Sequence, residues 1–236
     1  MSLSAHYRQL ITQTGTSLGN LIVDTDQFPA FTAIHNYATE FETLTSVVGD
    51  RPEIVIFRSA IKEFYYSLYA CATGGYRHAH IGLRLFFELF SAGIFFSAYE
   101  IKLRSWLSDL DGSDINWSAI SHPETGIFSV TFLNAFNPDL CETGKQYRVI
   151  AAKAYRECSE FVHGNIHTHD PNVELFSYQI EFLQAWMERA EAIRLCVIFC
   201  FAGRYLRFLD KDARGKIEYI ITESLGHLPA IQDIYS

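Results

Sequence analysis

Residues Glu142–Asn165 read ETGKQYRVIAAKAYRECSEFVHGN, and this stretch decides the fold. It has no proline and is rich in Ala, Lys, Arg, Glu and Gln, which predicts a helix. At about 100° per residue, Tyr147, Ile150, Ala151, Ala154, Tyr155, Cys158, Phe161 and Val162 share one broad apolar arc. Lys145, Ala152, Arg156, Ser159, Glu160 and His163 lie opposite, with Val149 the one large apolar residue among them. Gly164 and Asn165 supply a C-terminal stop. One face is expected in the core; the other carries an arginine, a hydroxyl and a histidine in a row.

Arg156 and His163 are nearly two turns apart, so both point the same way, about 10 Å apart along the axis. A histidine moves protons near neutral pH, and an arginine clamps a phosphate bidentately. RNA cleavage without a metal needs that pair: a proton shuttle for the 2′-hydroxyl or leaving oxygen, and a fixed cation for the developing charge. The bland alternative is a solvated helix face.

Outward from this helix, the rest of the chain is also read as helical. Stripes at helical spacing predict helices from Asp26, as N-cap, to about Val48, from Pro52 to Thr73, and from Tyr76 onward through YRHAHIGLRLFFELFSAGIFFSAYEIKLRSWLSDL. This last run is apolar nearly all round, which places it centrally. Arg84 and Glu88 stand out in it, four apart on one face, either as a self-satisfying ion pair or as a border of the Arg156/His163 face. Residues 111–141 are punctuated by Gly112, Pro123, Gly126 and Pro138 and read as a crossover, with short helices near 115–120 and 130–136. A long helix is expected over 173–209, a turn over 210–215, a short helix over 216–225 and a docked tail over 226–236. Residues 1–25 read as an arm: a short helix near 5–13, interrupted at Gly15 and Gly19, then a brief extended piece at 21–23. The expectation is an all-α, up-and-down helical bundle with four to five core helices plus short accessory helices, forming one domain over 26–236.

Composition narrows the function. Hydrophobic residues at 49% and charged residues at 19% allow a sizeable core and exclude disorder. A net charge of −8 argues against broad nonspecific nucleic-acid binding, although Lys145, Arg148, Lys153 and Arg156 make the one helix locally basic. Five scattered cysteines without a C-x-x-C read as free thiols in a reducing compartment. The most apolar runs, 83–99 and 195–203, fall short of the roughly 20 residues needed to span a bilayer, so no membrane association and a cytoplasmic location are expected. His167, His169 and Asp170 have a spacing too generic for a metal site, and His78 and His80 face opposite sides of a helix. No metal and no cofactor are expected, and no nucleotide-binding glycine loop or serine-hydrolase elbow occurs.

Two segments carry a resemblance. The stretch ACATGGYRHAHIGLRLFFELF, with Leu83, Arg84 and Glu88 as L-R-x-x-x-E, resembles a helix common in the HEPN superfamily (higher eukaryote and prokaryote nucleotide-binding domains). The stretch AYRECSEFVHG, with Arg156 and His163 enclosing six residues, resembles that family's R-x(4–6)-H signature. The resemblance implies a HEPN-like bundle of four or five helices that forms a homodimer. It further implies a composite Arg/His site between subunits, cleaving RNA as a metal-independent endoribonuclease in phage defence or a toxin–antitoxin system, with an antitoxin or defence-system protein as partner. Arg156 and His163 would be catalytic; Ser159, Lys145, Glu160, Arg84 and Glu88 would bind substrate or support them. Glu157 follows the motif arginine where active members often carry a small polar residue. The alternative implied is a catalytically inactive HEPN-like module for dimerisation or for binding a protein or nucleotide.

Overall fold

The computed structural model describes residues 2–108, 114–163, 165–168 and 174–235. Among these, all regular structure is helical: α1 (Leu3–Val23), α2 (Gln27–Ser46), α3 (Ile54–Ala72), α4 (Tyr76–Phe96), α5 (Glu100–Leu107), α6 (Trp117–Ile120), α7 (Val130–Phe136), α8 (Cys141–Val162), α9 (Ile180–Tyr205), α10 (Lys211–Leu225) and α11 (Pro229–Tyr235). The expected all-α bundle is present. Its centre is α4, which packs along α3 and also touches α8 and α9; α2 closes the layer against α3 and α9.

The reason α4 is central lies in its side chains. Leu83, Phe86, Phe87 and Phe90 are fully buried. Phe86 and Phe90 join Phe41 of α2 and Phe57 and Phe64 of α3 in a set of ring contacts 4.6–5.9 Å apart. Offset and edge contacts of this kind add to area burial. A polar pin crosses the same interior: Trp186 Nε1 of α9 donates to Ser67 Oγ at 3.0 Å, and Ser67 Oγ donates to the Ala79 carbonyl at 2.6 Å. Every polar atom in this relay is thereby satisfied away from water.

Two glycines set the geometry around α8 and the bundle end. Gly144 lets α8 begin hard against the crossover, because a Cβ there would stand 2.5 Å from the Phe128 carbonyl oxygen and from Leu133 Cδ1. Gly74, at φ +79°, reverses the chain between α3 and α4 in the left-handed region open to glycine.

Several local expectations are corrected. The first helix is not interrupted: α1 runs through Gly15 and Gly19, each costing it about 1 kcal/mol relative to alanine, because Ser17 and Leu21 anchor its second half in the bundle. Asp26 makes no capping bond; Asp24 Oδ1 instead accepts from the backbone N–H of Asp26 and Gln27. The apolar run from Tyr76 is two helices, broken after Phe96. The long helix starts at Ile180, since Phe176 takes a positive φ of 56° and packs on the Gly74–Gly75 turn. Asp210 is an N-cap, accepting from Ala213 N–H at 2.8 Å, so α10 begins where a turn was expected. The 226–236 tail forms the short helix α11. Helix α4 is, against expectation, long and apolar enough to cross a membrane by length and composition, but 72% of its apolar window is buried inside the bundle.

Candidate functional site

Helix α8 is held by its apolar arc. Tyr147, Ala151, Ala154 and Cys158 are buried, and Tyr147 stacks on Phe199 of α9 at 3.9 Å. Burial pushes the Cys158 thiol up to about 12, so it is a packing residue and not a nucleophile. All five cysteines are free thiols.

That packing leaves the other face outward. Lys145, Arg156 and His163 are exposed, and Ser159 and Glu160 half-buried. Arg156 has no ion-pair or hydrogen-bond partner among the described residues. His163 sits at the C-cap of α8, its backbone N–H donating to the Ser159 carbonyl at 3.1 Å. Ser159 Oγ is turned back on its own helix, donating to the Tyr155 carbonyl at 2.7 Å, so it does not orient the imidazole. Glu160 closes the helix end through its carbonyl, which accepts from Thr168 Oγ1 and Asn165 N–H. Beside Lys145, the N-terminal half of this face has an apolar hollow of about 490 Å³, lined by Val149 and Ile150; Val149 is 59% exposed.

Arg84 and Glu88 are brought to α8, but not to Arg156 or His163. They lie 3.3 Å apart, and both bind Tyr155 of α8: Arg84 Nη2 donates to the Tyr155 hydroxyl at 2.6 Å, and that hydroxyl donates to Glu88 Oε1 at 2.6 Å. The Tyr155 ring stacks on Trp117 at 4.2 Å, with the two planes nearly parallel. Burial, with the Glu88 bond adding, raises the Tyr155 hydroxyl above its usual range. Burial works to lower the Arg84 pKa, yet Tyr155 and Glu88 outweigh it and the net shift is upward. This triangle locks α4 to α8 on the side flanking the exposed face.

Glu157, adjacent to the motif arginine, turns away from it. Its carboxylate lies 3.2 Å from Arg189 Nε of α9, an ion-pair contact without hydrogen-bond alignment, and 3.8 Å from Lys153. Its charge is therefore balanced locally. Below it His80 is buried in contact with Phe161 of α8, stacked at 3.9 Å. Burial, with the Arg189 charge adding, pulls the His80 pKa down to about 3.

Tyr155, Trp117, Arg189 and His80 are thus the residues that sequence reasoning did not assign to the site's support. A tyrosine at the edge of an apolar arc is the one signal that pointed to Tyr155. Gly164, His169, Asp170 and the His167 side chain lie outside the described residues. Among the described residues, no group of three or more His, Cys, Asp and Glu side chains is placed to hold a metal ion.

Among the described residues, the fold and site define an all-helical protein in which α8 exposes an arginine without an ion-pair partner and a histidine two turns apart. In comparisons with known proteins, no family model, no curated protein and no solved structure matches this chain.

Proposed function

We propose that this chain is a homodimeric, HEPN-type endoribonuclease that cleaves RNA without a metal. The observation that carries the reading is the exposed Arg156 and His163 on one face of α8. Support comes from the locally balanced Glu157, which removes a repulsive carboxylate from the phosphate approach. The exposed Val149 and the apolar hollow beside Lys145 suit pairing of two α8 helices about a two-fold axis.

Two such helices would bring four groups to one scissile phosphate. His163 of one subunit takes the proton from the ribose 2′-hydroxyl, and the oxygen attacks phosphorus. Arg156 holds the non-bridging oxygens as negative charge develops. The P–O5′ bond breaks, and a histidine returns a proton to the leaving oxygen. The products are a 2′,3′-cyclic phosphate and a 5′-hydroxyl. Lys145 extends the phosphate track along the same face. Phage defence or a toxin–antitoxin pair, in a cytoplasmic setting with a silencing protein partner, is the biological context this chemistry fits.

The test uses a labelled RNA oligonucleotide and its 2′-deoxy counterpart. Wild type is expected to cut only the RNA and to leave cyclic phosphate ends, and Arg156→Ala to lower the rate at least a hundredfold. Equal cleavage by Arg156→Ala overturns the assignment. The second reading, an inactive module binding a protein through this face, is favoured by exposed Val149; binding without cleavage by a folded dimer would establish it.

A further inference from the structure

The first helix extends beyond the bundle. Positions 3, 7, 10, 14, 17 and 21 of α1 form one continuous stripe at alternating steps of four and three. Its inner half is anchored, with Ser17 and Leu21 buried. Its outer half is bare: Leu3 is 72% exposed, Tyr7 59% and the flanking Ile11 71%. A helix that continues its core stripe into solvent is built for a second surface.

A surface that fits it lies between α2 and α9. This groove of about 600 Å³ has a floor of Ala30, Ala33, Ile34 and Met187 and a rim carrying Asp26, Glu188 and Glu191. Its small exposed alanines permit a helix backbone to approach closely. From Asp26 to Tyr37 it spans about 16 Å along α2, and the outer half of α1, from Leu3 to Gln13, spans about 15 Å.

Charge matches as well as length. Residues 1–23 contain no carboxylate in a chain with 27 acidic residues, and they carry Arg8 and His6. Arg8 on the arm and Asp26, Glu188 and Glu191 on the groove rim have no ion-pair partner among the described residues. The arm is basic, and the groove is acidic.

The molecule's own arm does not supply the occupant. Helix α1 leaves its root at Asp24, which accepts from the Tyr178 hydroxyl at 2.8 Å. It passes the Gly74 turn at Ser17, and Gln13 Nε2 donates to Glu174 at 3.0 Å. As one unbroken helix led across the bundle end, it cannot fold back onto α2.

We infer that the outer half of α1 docks in the α2–α9 groove of a second copy of this chain. Exchange is reciprocal: each protomer gives an arm and receives one, and the groove opens beside the root of the arm it gives. The contact is separate from the α8 face and does not depend on the nuclease reading.

The test is the mass of the full-length protein in solution, by light scattering and sedimentation at tens of micromolar. Three surface variants are compared with wild type: Leu3→Asp/Tyr7→Asp/Ile11→Asp on the arm, Ala30→Arg in the groove, and Arg8→Glu alone or with Glu188→Arg. The arm and groove variants are each expected to halve the wild-type mass with helical circular dichroism unchanged, from dimer to monomer if the arm exchange is the sole contact, or from tetramer to α8-paired dimer if the α8 faces also pair. Arg8→Glu weakens association at least tenfold, and adding Glu188→Arg restores it. His163→Ala keeps the wild-type mass whether or not RNA is cleaved. A monomeric wild type, or an arm variant of wild-type mass, overturns the inference. Loss on the arm variant with no effect of Ala30→Arg overturns the groove as the docking site. Should the triple variant not fold, Arg8→Glu and Ala30→Arg decide the question alone.

Discussion

Replacing His80 with leucine isolates one buried imidazole that ties α4 to the His163 end of α8. In the folded chain burial, with the Arg189 charge adding, draws its pKa down to about 3 from an ordinary 6.5. The native ring is therefore neutral at every pH between those values, while the unfolded chain takes up a proton below 6.5. The group's folded pKa is depressed, so the stability it contributes is present above pH 6.5 and is lost as pH falls toward 3. Two units below 6.5 the loss reaches about 2.7 kcal/mol. Leucine fills a similar volume and does not titrate. Urea denaturation at pH 7.5 and pH 4.5 measures the difference. Wild type is expected to lose about 2–3 kcal/mol more than His80→Leu across that interval. Parallel losses in the two proteins would refute the reasoning and show that the native fold accommodates the charged ring.

Two further substitutions probe the joints that position α8 and α9. Tyr155→Phe removes the hydroxyl that serves both Arg84 and Glu88, and is expected to cost about 1–3 kcal/mol in chemical denaturation. Glu40→Ala strips a buried partner from Arg194, which Glu40 binds through Nε at 2.6 Å and Nη2 at 3.0 Å. About 3 kcal/mol should be lost, seen as a lowered thermal midpoint, because Glu223 alone is left to compensate a buried cation.

The helical class and the orientation of α8 were legible because they rest on periodicity. Tyr147, Ala151, Ala154 and Cys158 are buried and Arg156 and His163 exposed, as the 100° spacing requires. What periodicity does not carry is the identity of partners brought in from distant helices. Tyr155 belonged to the apolar arc by angle, yet its hydroxyl bridges an ion pair 67 and 71 residues away in the chain. Arg189 compensates Glu157 from another helix. Boundaries failed for local reasons. Glycines in α1 read as breaks because propensity does not carry the tertiary anchor at Ser17 and Leu21, and the start of α9 is hidden because the positive φ of Phe176 leaves no compositional mark.

The central claim is that the α8 face cleaves RNA. The measurement that addresses it most directly is degradation of total RNA by purified wild type and by His163→Ala, in EDTA, after both proteins have been sized and shown to be folded. The account predicts cleavage by wild type and none by His163→Ala at equal oligomeric state. A His163→Ala protein as active as wild type would contradict it.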